Sequence, residues 1–201
     1  MRAERNKDDS YNVWMTRDEY QVLPRSTDDW EREIALRLMG DCGLRRAEVL
    51  DVTPAHISRY TDGRHYRLEV VGGKDTTGEY DDGKHRETWL PVETERIINR
   101  YTQTEDIADT APLIDRSKRT LLYWVETAAE RAVEETGDDD YQRVSSHDLR
   151  RCWANHLLVE HGVSPRIVMA LGGWSSYDAI EPYLAAPTET NIIETMSAVS
   201  L

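Results

Sequence analysis

The sequence predicts an α+β fold, in which a mainly α-helical domain carries one small antiparallel β-sheet. Over most of the 201 residues, apolar side chains recur with the three- and four-residue spacing of amphipathic helices. Residues 64–92 differ, because two runs of strand-forming residues flank a Gly- and Asp-rich segment, a pattern typical of a β-hairpin with a long connection. The sequence contains no stretch of about 18 apolar residues, so we expect no membrane span.

The predicted helices are delimited by capping residues and by glycine or proline. The first begins near Thr27, with Asp28 and Asp29 in its first turn, where acidic groups suit the helix dipole, and Gly43 breaks it. A second helix covers 46–52 and stops before Thr53-Pro54. The next helix is capped by Ser117 and ended by Gly137, and the one after it is capped by Ser145 or Ser146 and ended near Gly162. A short helix covers 166–171 after Ser164-Pro165, and a last helix follows Pro187.

The N-terminal residues are polar and charged. We expect a flexible lead-in over 1–12, followed by one domain over 13–201. This lead-in lacks the apolar core of a secretory signal. Cys42 and Cys152 lie far apart and show no metal-binding spacing, which favours two reduced thiols in a cytoplasmic protein. We therefore expect no metal site and no cofactor.

The chain is strongly acidic, with a net charge of -13 and an isoelectric point of about 4.9. This balance disfavours a nucleic-acid partner unless basic residues gather locally, because DNA binding depends on Lys and Arg neutralising phosphates. Basic residues do gather, at 116–119 and at 143–151. Lysine is scarce and the acids form short clusters, which is typical of a protein from a very salty cytoplasm, such as that of a halophilic archaeon or its virus.

Four short segments carry residues suited to phosphate chemistry. In chain order they are GLRRAEVL at 43–50, Gly73-Lys74, HDLR at 147–150 and LGGWSS at 171–176. Tyr183 follows nine positions after Trp174. Each segment alone is a weak signal, because short matches arise by chance. Their order, together with the predicted helices and hairpin that bear them, makes a strong one.

These segments resemble the motif boxes of the tyrosine recombinase family, also called the phage integrase family, from about Val13 to Tyr183. The resemblance implies a catalytic domain that cleaves and rejoins double-stranded DNA through a 3′-phosphotyrosine intermediate. It also implies dimers or tetramers on DNA, with 187–201 packing on a neighbouring protomer. Members usually carry an N-terminal core-binding domain, which does not fit in the residues before Val13. A separate domain of that kind, or an accessory factor, is therefore a candidate partner.

The resemblance assigns chemical roles to residues of this sequence. Tyr183 is the nucleophile, and Arg45 and Arg150 clamp the phosphate, since a guanidinium matches its oxygens bidentately. A phenol with an ordinary pKa of about 10 is a poor nucleophile until it is deprotonated or placed beside cations, which explains the arginines. The other implied roles are a general acid at Lys74, an acid or base at His147, an indole N–H donor at Trp174, a carboxylate at Glu48 that orients a cation, and DNA contacts from Arg46, Arg143 and Arg151.

Three features depart from the family pattern. Trp174 stands where most members have histidine, which leaves His147 as the only histidine in the boxes and the acid–base roles open. The long hairpin connection makes Lys84 a rival to Lys74 as general acid. Pro182 directly precedes Tyr183 and would interrupt a helix, so we expect this tyrosine on a bend or a mobile segment.

Other readings of the same residues remain open. Integration, excision and resolution share one chemistry, so the boxes do not separate them. A type IB topoisomerase uses similar arginines, lysine and tyrosine, although the short chain and the box at 171–176 disfavour it. A non-catalytic DNA-binding relic is the alternative from a different functional class. A metallohydrolase is disfavoured, since no His, Asp and Glu residues show ligand spacing.

Overall fold

The computed structural model describes residues 1–7, 11–73, 84–181, 192–193 and 196–197. Its helices are α1 (Arg17–Arg25), α2 (Trp30–Gly40), α3 (Arg46–Val49), α4 (Val92–Thr104), α5 (Lys118–Thr136), α6 (Ser146–Asn155), α7 (Pro165–Gly172) and α8 (Tyr177–Ile180). Its strands are β1 (Arg2–Arg5), β2 (Tyr11–Trp14), β3 (Ile57–Arg59), β4 (Tyr66–Gly73) and β5 (Lys84–Leu90). This mainly helical architecture with small antiparallel sheets confirms the predicted fold class.

Helix α2 forms the centre of the core and leads directly toward the first motif. Its last seven residues are all buried, and the helix packs against α1, α4, α5 and α6. The chain then turns sharply at Gly43, whose φ of +68° is a left-handed conformation that favours glycine. A side chain there would also meet the Trp153 ring at 2.4 Å. The turn therefore brings the first motif against α6, which carries the third.

The hairpin predicted for 64–92 is confirmed. Strands β4 and β5 pair in antiparallel register, with Leu68 opposite Thr88. A third strand, β3, which the sequence analysis did not predict, pairs with the other edge of β4. Leu68, Val70, Thr88 and Leu90 are buried, so one face of the sheet packs on the helical core. The connection at 74–83, which includes Lys74, lies outside the described residues.

Part of the lead-in expected over 1–12 forms strands that the sequence analysis did not predict. Strand β1 pairs with β2 in antiparallel register, with Ala3 opposite Val13. Val13 is fully buried, and its backbone N–H donates to Asp148 Oδ1 at 3.0 Å. Strand β1 therefore depends on tertiary contacts, because this polar segment pairs with β2, which is itself hydrogen-bonded to α6.

The capping signals located several helices correctly. The Ser117 hydroxyl accepts from the Thr120 N–H at the start of α5, and Gly137 ends that helix in a left-handed conformation. Ser145 is the N-cap of α6, and α7 begins at Pro165. Helix α6 continues through a π-helical turn, His156–Glu160, before Gly162.

Other helix predictions need correction. The first predicted helix begins at Trp30, with Asp29 rather than Thr27 as its N-cap, and it ends at Gly40. Helix α3 is shorter than 46–52, ending at Val49. Helices α1 and α4 were not predicted. The helix expected after Pro187 falls mostly outside the described residues.

Candidate active site

An open pocket of about 470 Å³ collects basic residues from three separate segments. It is lined by Leu44, Arg45, Arg46, Ala47, Lys118, Ser146, His147 and Arg150. Four of the predicted site residues therefore meet in one place, although Arg45 and His147 lie 102 positions apart in the sequence. Lys118, at the N-terminus of α5, is an addition that motif reasoning did not single out.

Arg45 is held at the mouth of this pocket by Glu48. The backbone N–H of Arg45 donates to Glu48 Oε2 at 2.7 Å, and its guanidinium Nη1 donates to Oε1 at 2.7 Å. Arg45 is the N-cap of the short helix α3, so the i, i+3 spacing places the carboxylate directly beneath it. The Arg45 side chain remains 34% exposed. It is thus oriented and still accessible to a ligand.

Glu48 is itself held by Arg86, a residue that the sequence analysis missed. Arg86 Nη1 and Nη2 donate to the two Glu48 oxygens at 2.9 and 2.8 Å. The two side chains are only 5% and 3% exposed. Burial alone would raise the pKa of Glu48, but the hydrogen bonds and charge of Arg86, followed by those of Arg45, lower it to about 2. The carboxylate therefore stays ionised at any pH used for assays.

A sequence signal for Arg86 did exist. Thr88 and Leu90 point into the core, and side chains on a strand alternate between faces. Arg86 must then point inward as well, four residues before Leu90. A charged residue on the inward face of a strand predicts a buried ionic partner.

Arg150 lies behind the pocket, 1% exposed. Its Nη1 donates to the Gly43 carbonyl and its Nη2 to the Gly172 carbonyl, the latter at 2.6 Å. Its guanidinium carbon lies 4.1 Å from the centroid of the Trp174 ring. Arg150 therefore joins the first, third and fourth motifs, and its orientation is set by backbone groups and a ring face.

Trp174 packs into a small apolar cluster beside Arg150. The side chain is 7% exposed, and its ring stacks on Trp153 with centroids 5.9 Å apart and planes 18° apart. Gly172 is required for this packing, because a Cβ there would lie 1.9 Å from the Trp174 ring. The predicted donation from the indole N–H to a phosphate stays a prediction.

His147 occupies the first turn of α6, on the exposed side of the helix. Partial desolvation lowers the pKa of His147, and the nearby charges of Arg151, Arg150 and Arg45 lower it further. Asp148, which accepts from the Ser145 N–H at 2.9 Å, opposes them. The surroundings of His147 in the DNA-free chain therefore favour the neutral imidazole.

The three arginines predicted to contact DNA differ in their exposure and in their partners. Arg46 lines the pocket. Arg151 is 5% exposed, forms an ion pair with Asp148 and donates to Asn12 Oδ1 at 2.9 Å, so it ties the N-terminal hairpin to α6. Its DNA contact stays a prediction. Arg143 is 39% exposed and pairs with Asp140, so its DNA contact stays a prediction.

Two predicted residues lie outside the described part of the chain: Lys74 and Tyr183. Lys84 begins β5, where its backbone pairs with Gly73. The choice between the two lysines as general acid therefore stays open, and Tyr183 as nucleophile stays a prediction.

The fold and these motifs are those of a catalytic domain of the phage integrase type. Residues 13–189 match the model of the phage integrase family, and the chain belongs to that family. No curated protein sequence matches it.

Solved structures of recombinases share the fold. The crystal structure of XerA recombinase has a TM-score of 0.71 at 16% identity, covering 94% of this chain and 66% of that one. XerH bound to difH substrate in a pre-cleavage complex has a TM-score of 0.66 at 14% identity, covering 97% and 59%. The Tn1549 transposon integrase with transposon right-end DNA has a TM-score of 0.68 at 13% identity, covering 94% and 67%.

These comparisons also show how much of each related chain is matched. The chain spans somewhat less than two thirds of the XerA and XerH chains that it matches. Among the residues described, none of the helices has the length and apolar character needed to cross a membrane. In the same part of the chain, no three His, Cys, Asp or Glu side chains come together as a metal ion would need.

Proposed function

We propose that this protein is a site-specific DNA recombinase that cleaves and rejoins strands through a 3′-phosphotyrosine bond to Tyr183. The observation that carries the proposal is the pocket in which Arg45, Arg46, Lys118, His147 and Arg150 meet. The chain as a whole has a net charge of -13, so this concentration of cations is local and specific. A pocket of this kind suits a phosphodiester on an otherwise acidic body.

In this proposal, the scissile phosphate enters beside Arg45 and in front of Arg150. Two guanidiniums stabilise the charge on its non-bridging oxygens, since each presents a planar fork of N–H donors. His147 donates to a further oxygen or exchanges a proton there. Arg46 and Lys118 contact neighbouring backbone phosphates, which fixes the position of the duplex. Removing a charge stabiliser of this type typically costs about 3–4 kcal/mol of barrier.

The chemical step is a transfer of the phosphoryl group from DNA to tyrosine. The Tyr183 oxygen gives its proton to the His147 imidazole or to water and attacks phosphorus, the Tyr–O–P bond forms and the P–O5′ bond breaks. The departing 5′ oxygen takes a proton from Lys74 or Lys84. Rejoining reverses these steps, with a 5′ hydroxyl attacking the phosphotyrosine. Because the ester bond energy is kept, rejoining requires no nucleotide cofactor.

The proposed partners are double-stranded DNA and further copies of this chain. XerH and the Tn1549 integrase are described as complexes with their DNA, and they share this fold. A dimer or tetramer on DNA would pair the cleavage sites for strand exchange. A separate core-binding domain or accessory factor is a further proposed partner.

Covalent trapping tests the proposal. The wild type, Tyr183→Phe and the control Tyr177→Phe are mixed with nicked duplexes that carry the flanking genomic sequence and are run on a denaturing gel. Tyr177 is a suitable control because it is 56% exposed and lies six residues earlier. We expect a protein–DNA band from the wild type and the control, and none from Tyr183→Phe, because only a phenolic oxygen at 183 can form the ester.

Two other outcomes would replace the proposal. A gel shift without any covalent band would favour a non-catalytic DNA-binding protein. A covalent band on any duplex, together with relaxation of supercoiled plasmid, would favour the topoisomerase reading.

A further inference from the structure

Arg86 is bonded to two different motifs from a third segment of the chain. Its two terminal nitrogens form the bidentate pair with Glu48 at 2.8 and 2.9 Å. Its remaining nitrogen, Nε, donates to the Leu171 carbonyl at 2.8 Å. The aliphatic part passes close to the backbone of the fourth motif, because a Cβ on Gly173 would lie 2.9 Å from Arg86 Cδ. The guanidinium is thus enclosed and uses donors on both its edges.

Arg86 and Arg150 each donate a hydrogen bond to a backbone carbonyl at the C-terminal end of α7. The last carbonyls of a helix lack intrahelical partners and carry partial negative charge. Here Arg86 takes the Leu171 carbonyl and Arg150 takes that of Gly172. Both guanidiniums also bond to 43–48, Arg150 through the Gly43 carbonyl and Arg86 through Glu48. Two arginine side chains therefore connect the first motif to the fourth.

We propose that Arg86 is a positioning residue, which fixes Arg45 at the phosphate pocket through Glu48. The inference rests on the proposed function. Arg86 itself is 5% exposed and is not among the residues that line the pocket described above. Arginine is required because a lysine ammonium cannot form two parallel bonds to Glu48 and a third to Leu171.

The test uses variants that separate charge, geometry and fold. Arg86→Lys keeps the charge and loses the fork, whereas Arg86→Gln removes the charge. Glu48→Gln removes the carboxylate that Arg86 binds, and the double variant Arg86→Gln/Glu48→Gln removes both charges, so that neither member of the buried pair is left charged without the other. Arg67→Gln is the matched control, because Arg67 lies on neighbouring β4, pairs with Glu87 and is 39% exposed. The thermal unfolding of every variant is measured, to show that it is folded at the assay temperature.

The first readout separates binding from chemistry. Single-turnover trapping with saturating protein gives the rate of covalent bond formation, and gel shift gives the Kd for the same duplex. We expect Arg86→Lys to lower the rate about 10- to 100-fold, since misplacement on the order of 1 Å can cost about 100-fold. The Kd should change little, and Arg67→Gln should match the wild type in rate. Adding Arg86→Gln to Glu48→Gln should lower the rate no further if Arg86 acts through Glu48.

The second readout does not depend on cleavage. Inorganic phosphate is titrated into each protein, and binding is followed through the NMR signals of the His147 ring, which lies in the same pocket. We expect Arg86→Lys to weaken phosphate binding several-fold and Arg67→Gln to leave it unchanged. This effect follows from the loss of a fixed Arg45 guanidinium rather than from the loss of a phosphate contact.

Each result decides the inference. A wild-type rate in Arg86→Lys overturns it, and additive losses in the double variant overturn the route through Glu48. If the wild type forms no covalent complex, the proposed function fails, and phosphate binding then decides whether Arg86 positions Arg45. If the wild type neither cleaves nor binds phosphate, both fail. If Arg86→Gln unfolds, Arg86→Lys and the double variant carry the test.

Discussion

Arg150 shows how one side chain can be oriented before its ligand arrives. Its terminal nitrogens donate to the Gly43 and Gly172 carbonyls, and Trp174 covers one face. A guanidinium is a rigid planar fork of N–H donors, so these bonds fix the direction of the whole group. The backbone therefore sets the angle of the fork, and in the proposed function a phosphate would meet a fixed group instead of a flexible one. Such preorganisation is the usual source of strong charge stabilisation in enzymes.

The protonation of His147 should be coupled to DNA binding. In the free protein, its pKa is lowered by partial desolvation and by neighbouring arginines. A phosphodiester among those arginines would stabilise the imidazolium, so the pKa should rise in the complex. The complex then holds more protons within the interval between the two pKa values, and DNA binding should tighten as pH falls through that interval. NMR titration of the His147 ring, with and without duplex, measures both values.

A control is needed because the sequence contains six histidines. His156 pairs with Glu160 outside the pocket, so its ring signals should not respond to the duplex. The His147→Gln variant should lose the pH dependence of the Kd while His156→Gln keeps it. An unchanged His147 pKa on addition of DNA would contradict the assignment of this residue to the phosphate.

At the scale of elements, the end of α7 is the most constrained part of the site. Its last residue, Gly172, lies against the Trp174 ring and gives its carbonyl to Arg150. Gly172→Ala should therefore destabilise the fold by about 1–3 kcal/mol, because a Cβ would overpack the cluster. It should also slow any covalent trapping by shifting Arg150. Thermal unfolding measures the first effect, at about 2–4 °C per kcal/mol.

Ala170→Ser is the matched control for that substitution. Ala170 lies in the same helix and is exposed, so the change should leave the unfolding midpoint within about 0.5 kcal/mol of wild type. Equal stability of Gly172→Ala and Ala170→Ser would show that the Trp174 ring can move without cost, contrary to the packing described.

The sequence predicted those elements whose signals are local. Ser117 and Gly137 bracket α5, and Pro165 starts α7, because caps and φ preferences act within a few residues. Helix α1 also had such a signal, a capping box at Thr16 and Glu19, but Pro24 in its last turn obscured the pattern. Strand β1 had none, since its order depends on β2 and on a bond from Val13 to Asp148, 135 residues away.

The candidate site divides in the same way. Arg45, Glu48, His147 and Arg150 were found from spacing, and the structure brings them together. The burial of Arg151 was not predicted, because the sequence around it does not indicate that Asn12 and Asp148 are its partners. Lys118 joins the pocket only through the packing of α5, a tertiary relation without a sequence motif.

At the scale of the whole molecule, the charge of -13 opposes both compaction and DNA binding. We propose that the protein is adapted to high salt, where screening removes most of this repulsion. Raising KCl from about 0.1 M to about 1 M shortens the Debye length from about 10 Å to about 3 Å. The unfolding midpoint should therefore rise by several degrees over this range, as followed by circular dichroism.

Two comparisons identify the cause of that rise. NaCl at equal ionic strength should act like KCl, because screening depends on ionic strength. Sucrose at equal osmolality screens no charge and should give a smaller effect. An unfolding midpoint that is the same at low and high KCl would remove the halophilic proposal and leave the acidic surface without that explanation.

The stacked pair of Trp153 and Trp174 gives the molecule a built-in optical signal. Two nearly parallel indoles at 5.9 Å couple electronically, and the cation of Arg150 lies against one of them. Near-ultraviolet circular dichroism and tryptophan emission therefore report on the Arg150 guanidinium without any attached dye. A phosphate bound beside this cation should alter the electrostatic field at the ring and with it the spectrum of the unlabelled protein, so that occupancy can be followed in real time.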